Sequence, residues 1–333
     1  MAIIPTLARD EGFDPSLDGP AAAHRVEARS PAQLAFSRLV RDRAAMIALV
    51  VVILIVMLAI FAPVVSWLTG HPPNTQYPNG LSADGLPEPP SSQYLLGTDS
   101  LGRDLLVRIA YGARVSLIIG VVATMLTVTI GAVVGLLAGY FGGIVDTILS
   151  RLLDVMLAIP FLLFAISLAS VVSITPIRIG PIALHQGIAI VIIVIGIFQW
   201  STVARIVRGQ VLAIREREYI EAARSLGASA WRILVVDVVP NVIPTIIVYA
   251  SLLIPLSIVA EATLSYLGVG IPPPMADWGA MIADSQQYYQ EAWWYVLFPS
   301  LALLITTIAF NVLGDGIRDA FDPRATRLIN DKK

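Results

Sequence analysis

An all-α integral membrane protein with six spans is the fold class this sequence predicts. Apolar residues make up 56% of the 333 and charged residues only 14%, with a mean hydropathy of +0.78. An ordinary soluble protein carries roughly 25% charged residues. Six apolar stretches are long enough to cross a bilayer, which takes about 20 residues for a helix. The basic residues, finally, are divided very unequally between alternate connecting segments, which fixes an orientation.

The stretches lie at 46–68 (closed by Trp67), 115–138, 144–169, 188–204, 242–260 and 295–313. Residues 1–39 mix Asp10, Glu11, Asp14 and Asp18 with arginines and have no apolar core, so the first run reads as a retained anchor rather than a cleaved signal. With the N-terminus in the cytosol, only Arg103, Arg108, Arg114 and Arg178 of the 22 Lys and Arg face outward. Both termini are therefore expected in the cytosol, as an even number of spans requires. The chain divides into a cytosolic arm (1–45), a first transmembrane helix (46–68), an extracytoplasmic segment (69–113), a core of five helices (114–314) and a cytosolic tail (315–333). The core includes a cytosolic loop at 205–241.

Several chemistries are excluded at this level. The chain has no cysteine, hence no disulfide, thiolate metal site or Cys nucleophile. His24, His71 and His185 are far apart and form no ligand pattern. A net charge of −2 argues against nucleic acid. A phosphate-binding loop of the Walker type needs an internal lysine, yet the only lysines are Lys332 and Lys333. Any ATPase serving this protein is a separate chain. Asp146, Arg151 and Asp154 cluster at the start of the third span, and Glu261 sits at the outer end of the fifth. Both groups lie near interfaces, so paired or solvated roles are expected, with no midplane relay of an ion-coupled pump. No convergent His, Ser or Asp set suggests an intramembrane enzyme.

The loop at 205–241 is the most informative segment. Residues 215–227 read as a helix with interleaved charges. Ala222 and Ala223 leave a shallow surface, and Gly227 ends or turns the helix. A second short helix begins at 228–232, with Trp231, Ile233, Leu234 and Val235 at the membrane surface. Pro240 and Pro244 mark the start of the fifth span. Physics alone leaves two readings: a charged amphipathic connector on the inner leaflet, or a short helix that fits a groove in a cytosolic protein.

The outer face carries two segments. Residues 68–114 open with turn signals (Pro72-Pro73, Asn79-Gly80, Asp84-Gly85, Pro89-Pro90) and tighten into the run 95–104. Residues 265–294 hold Pro272-Pro273-Pro274 and the rings of Trp278, Tyr288, Tyr289, Trp293 and Trp294. Those rings suit an interfacial belt or a docking surface for a soluble partner. In the second span, Gly131, Gly135 and Gly139 share one face and permit close helix packing.

Glu221-Ala222-Ala223, then Gly227, then Val239-Pro240 resembles the coupling motif of ABC importer permeases. The likeness sharpens to the C-type permease subunit of dipeptide, oligopeptide and nickel importers. It is carried by Leu96-Gly97-Thr98-Asp99-x-Leu101-Gly102-Arg103-Asp104, by Tyr111-Gly112-Ala113-Arg114-x-Ser116-Leu117, by Glu218-Tyr219-x-Glu221-Ala222-Ala223-x-x-Leu226-Gly227-Ala228 and by Leu264-Ser265-x-Leu267-Gly268-x-Gly270. Pro273-x-x-x-x-Trp278-Gly279 and Asn311-x-x-Gly314-Asp315-x-x-Arg318-Asp319-x-x-Asp322-Pro323-Arg324 extend it over about residues 40 to 325. Asp237 departs from the motif, which usually has an apolar residue there.

The resemblance implies a six-span type I permease in the plasma membrane of a bacterial or archaeal cell. Its partners would be a B-type permease subunit across a pseudo-two-fold axis, two ABC ATPase subunits and an extracytoplasmic peptide-binding protein, with lipid around the bundle. No cofactor is expected in this chain; ATP and Mg2+ belong to the ATPase subunits. Glu221, Ala222, Ala223, Gly227 and Pro240 would couple the permease to the ATPases. Gly97, Asp99, Gly102, Arg103 and Asp104 form a candidate contact region for the binding protein. The implied function is ATP-driven uptake of di- or oligopeptides, without enzymatic chemistry in this chain. The same machinery importing nickel, glutathione or another small solute is the alternative, and a non-transporting membrane scaffold is the reading from another class. A peptide path wants scattered polar groups, and Thr124, Thr127, Thr129, Ser167, Thr306, Thr307 and Asn311 are available in the spans.

Overall fold

The structure is a computed structural model, and it describes residues 31–171, 177–179, 182–184 and 186–321. The expectations for residues 1–30, for His185 and for the tail beyond residue 321 lie outside the described residues. The chain runs through α1 (Pro31–Leu39), α2 (Arg43–Ile60) and α3 (Ala62–Thr69) into a turn-rich segment, then α4 (Leu105–Phe141), α5 (Gly143–Ala158) and α6 (Phe161–Val171). A small antiparallel hairpin, β1 (Ile177–Ile179) with β2 (Ile182–Leu184), leads to α7 (Gln186–Arg215). After it come α8 (Glu218–Ser225), α9 (Ala230–Ile233), α10 (Val239–Tyr266), α11 (Trp278–Ser285) and α12 (Trp293–Phe321).

This is a multi-span membrane helical bundle. Among the described residues, five helical runs are long and apolar enough to cross a bilayer, or six if α5 and α6 together make one. The expected third span at 144–169 is not one straight helix. Its two halves meet at 86°, because Ile159, with φ −84° and ψ 125°, is extended. Pro160 disfavours a helical conformation in the residue before it. The expected first span at 46–68 is likewise two helices. α2 ends at Ile60, and Pro63 lies in the first turn of α3, where its missing N–H costs nothing.

α4 is the axis of the bundle. Its 37 residues extend about 55 Å at 1.5 Å per residue. Asp104 caps its N-terminus by accepting from the Val107 amide at 3.2 Å. At the other end Arg215 Nη1 donates to the Gly139 and Tyr140 carbonyls, each at 3.4 Å, where cations suit a helix C-terminus. The most extensive helix pair is α4 with α7. Glycines make it possible. A Cβ on Gly131 would lie 2.6 Å from Val203 Cβ, and one on Gly139 2.7 Å from Val211 Cβ, both closer than carbon atoms approach. α10 then packs on α4 and α12, and α2 on α12. The two ends of α4 define two ends of the molecule, and each carries candidate functional residues.

Candidate functional site

At the Phe141 end, α8 and α9 form a short elbow. α8 places Glu218 and Glu221 in its first turn and Arg224 in its last, the charge order that a helix dipole favours. Ile220 is its anchor: fully buried, it packs with Tyr140, Val207, Val211, Ile233 and Val238. α8 stops in a Schellman turn. The Ala228 amide donates to the Ala223 carbonyl at 3.1 Å, and the Gly227 amide to the Arg224 carbonyl at 3.0 Å. Gly227 has φ +82°, which glycine adopts freely and a β-branched residue does not. Ser229 Oγ then accepts from the Arg232 amide to start α9. Both short helices expected from the sequence are therefore present.

Of the residues singled out here, Glu221, Ala222, Gly227 and Pro240 are exposed, and Ala223 is half-buried against the Ile220 cluster. Three large side chains join them on the surface: Tyr219 and Leu226, at 88% exposure, from the motif itself, and Trp231 at 61%. Pro240 opens α10 after a π-helical turn at Leu234–Val238. There the Val239 amide reaches back to the Leu234 carbonyl. Asp237 stays within this helical turn, and its carbonyl accepts from Asn241 Nδ2 at 2.6 Å.

At the Asp104 end the arrangement is a knot of buried charge. Asp99 Oδ2 meets Arg103 Nε at 2.6 Å and Arg108 Nε at 3.2 Å. Asp99 Oδ1 accepts from the Leu101 and Arg103 amides, each at 3.0 Å. His71 Nδ1 lies 2.7 Å from Asp104 Oδ2, with Tyr77 and Tyr94 against its ring. Gly97 and Gly102 have φ of +79° and +70° and turn the chain around these pairs. Gly97, Asp99, Gly102, Arg103 and Asp104 are all buried. Exposed surface in this region comes from Ser91, Ser92, Gln93, Leu95 and Leu101.

Beside the knot lies a cavity of about 880 Å³ lined by Arg103, Arg108, Ser265, Tyr266, Asp284 and the chain at 268–275. Trp278 is buried, with Nε1 donating to the Ile109 carbonyl at 3.1 Å. Asp277 caps α11 through the Ala280 amide at 2.8 Å. Burial pushes the Asp277 carboxyl up to about 6, because an ionised carboxylate is poorly solvated there. Glu261, expected in a paired or solvated role, is completely buried and accepts from Ser116 at 2.9 Å and Ser265 at 3.2 Å.

Residues 131–327 match the model of the binding-protein-dependent transport system inner membrane component. The chain belongs to this family. Residues 30–90 also match the N-terminal transmembrane domain of oligopeptide transport permease C, which makes the chain a C-type permease subunit of an ABC importer. It is 38% identical over 314 residues to an oligopeptide transport system permease protein of Bacillus subtilis, covering 94% of this chain and 96% of that one. A putative peptide transport system permease protein of Brucella abortus is 38% identical over 296 residues, 89% and 93% of the two chains. A glutathione transport system permease protein of Pectobacterium atrosepticum is 42% identical over 246 residues, 74% and 78%.

Most of the permease's intramembrane hydroxyls turn out to be spoken for. Thr124 pairs with Ser257 at 3.1 Å. Thr306, Thr307 and Ser167 bond back to carbonyls one turn earlier, and Thr127 is buried. Thr129 and Asn311 are exposed.

Proposed function

We propose that this permease subunit carries di- or oligopeptides across the membrane in a six-span arrangement with both termini in the cytosol. The Phe141 end faces the cytosol and the Asp104 end faces outward. α8 is the coupling helix and sits in the cleft of an ABC ATPase subunit, with Leu226, Trp231 and Tyr219 supplying apolar contact around Glu221 and Ala222. A second ATPase subunit serves a B-type permease subunit related by a pseudo-two-fold axis. ATP and Mg2+ act in those ATPase chains, and this chain performs no bond chemistry. A peptide-binding protein docks on the outer face, where the Asp99 knot holds the surface in shape from within and Leu95 and Leu101 meet the partner.

The observation that carries this reading is the mounting of α8. Ile220 ties the elbow to the ends of α4 and α7, while its outer surface is left uncovered. A push on α8 is thus delivered to the two longest helices of the bundle. Coupling of this kind requires that both the ATPase state and the outer end differ between conformations.

Gly227→Val tests it. A β-branched residue at φ +82° costs about 1–3 kcal/mol and unmakes the turn between α8 and α9. Peptide-dependent growth should fail while the protein still reaches the membrane. Normal peptide uptake by that variant would overturn the lever role. Binding measurements on the cognate solute receptor, with dipeptide, glutathione and nickel as competitors, decide the cargo. Recovery of the ATPase subunits with this chain separates a transporter from a passive scaffold.

A further inference from the structure

α7 is the most enclosed span, with 78% of its apolar window buried against 22–44% for the other four. The surface it does expose in its second half is small or polar: Thr202, Arg205 and Gly209 recur on one stripe. α5 shows the same chemistry on one stripe and the opposite on the next. Thr147, Arg151 and Asp154 are exposed at helical spacing, and beside them Ile144, Ile148, Leu152 and Val155 are exposed too. The two polar stripes meet. Arg205 Nη2 lies 3.2 Å from Asp154 Oδ1, with 58% and 57% of the side chains uncovered. One turn toward the Phe141 end, Arg208 grips Asp146 through two bonds of 2.5 and 2.8 Å.

An uncovered ion pair does not face hydrocarbon; charged side chains in spans turn to water, to one another or to a polar cavity. The surroundings fix the depth. At this level α4 is uncharged and exposes Val133, and Val155, next in sequence to Asp154, is 57% exposed on the apolar stripe. One side of this level is therefore dressed for lipid while the other carries charge. Arg205 precedes the end of α7 by ten residues, about 15 Å along the axis, so the polar surface opens toward the α8 end. Its guanidinium and the partner carboxylate suit the two ends of a zwitterion, one for the carboxylate and one for the ammonium group.

We propose that the stripe of Thr147, Arg151, Asp154, Thr202, Arg205 and Gly209 lines the inner mouth of the translocation path and contacts zwitterionic solute there. This rests on the importer reading above. Gly209 is a convenient probe, since a Cβ placed on it meets nothing within 4 Å.

The chain has no cysteine, so single-cysteine variants need no background removal. Thr202→Cys, Gly209→Cys and, on the apolar stripe, Ile148→Cys and Val155→Cys are assembled with the full transporter in inside-out vesicles. They are treated with a membrane-impermeant methanethiosulfonate. Thr202→Cys and Gly209→Cys should react about tenfold faster than the other two, because only a hydrated thiol ionises to the reactive thiolate. Saturating dialanine with binding protein and ATP should slow them. Gly209→Trp should cut dialanine uptake about tenfold by narrowing the mouth, with ATP hydrolysis retained. Equal labelling of both stripes, labelling of the apolar stripe alone, or full uptake by Gly209→Trp would overturn the proposal. So would crosslinking of Thr202→Cys to the other permease chain with no labelling in any nucleotide state. Failure of the importer reading looks different: the unsubstituted complex would not move dialanine at all, whatever the labelling pattern.

Discussion

The two ends of α4 are held by opposite means. At the Asp104 end, charge is turned inward: Asp99, Arg103, Asp104 and Arg108 are nearly inaccessible, with Asp99 against both guanidinium groups and Asp104 against His71. At the Phe141 end, charge and large apolar groups are turned outward, and buried Ile220 and Ile233 with a glycine turn secure the elbow. A region built the first way keeps its shape without help. A region built the second way leaves apolar surface for a partner to cover, as the proposed coupling role requires.

Asp99→Ala should give the largest effect. It strands two buried guanidinium groups, and removing one partner of a buried pair costs about 3–5 kcal/mol. Thermal unfolding of the purified complex should show a clear loss, and a wild-type melting curve would break the contrast. Ile220→Ala comes next, at about 2–4 kcal/mol for a truncated core aliphatic. The loss should be confined to the elbow. Faster hydrogen exchange in 218–233 with unchanged exchange in 71–104 would sharpen the comparison, and exchange rising equally at both ends would undo it.

Asp277 supplies a pH test at the Asp104 end. Its folded pKa is raised above the ordinary 3.8, to about 6, so the folded state holds the proton more tightly than the unfolded chain. Stability from this group is fully present below about 3.8, declines as pH rises through about 6 and stays lower above it. The difference in melting temperature between the wild type and Asp277→Asn should follow that course, and a pH-independent difference would refute it. Leu226→Ser should give the smallest change in stability, within about 0.5 kcal/mol as for surface positions generally. On the proposed coupling role its effect falls on ATPase association, and unaltered recovery of the ATPase would count against an apolar contact at the elbow.

The sequence makes the bundle legible because hydropathy reports the solvent directly. The α8 turn is legible because Gly227 has a conformational role that few residues share. Two features were harder. Pro160 carried the signal for the break between α5 and α6, but a continuous apolar run masks a change of direction. The run 97–104 looks like exposed loop, since charged residues in a turn-rich segment usually are. Its burial depends on His71 and Arg108 arriving from other parts of the chain, and a linear pattern does not show such arrivals. The polar stripes of α5 and α7 depend likewise on which faces other helices leave uncovered.

The glycine contacts between α4 and α7 have a mechanical consequence. Where Gly131, Gly135 and Gly139 let two backbones touch, there is no layer of side chains left to act as a bearing. The two helices cannot come closer or slide past each other without steric collision. Whatever displacement the elbow receives, they must swing together as a single beam, and any hinge in this protein has to lie elsewhere.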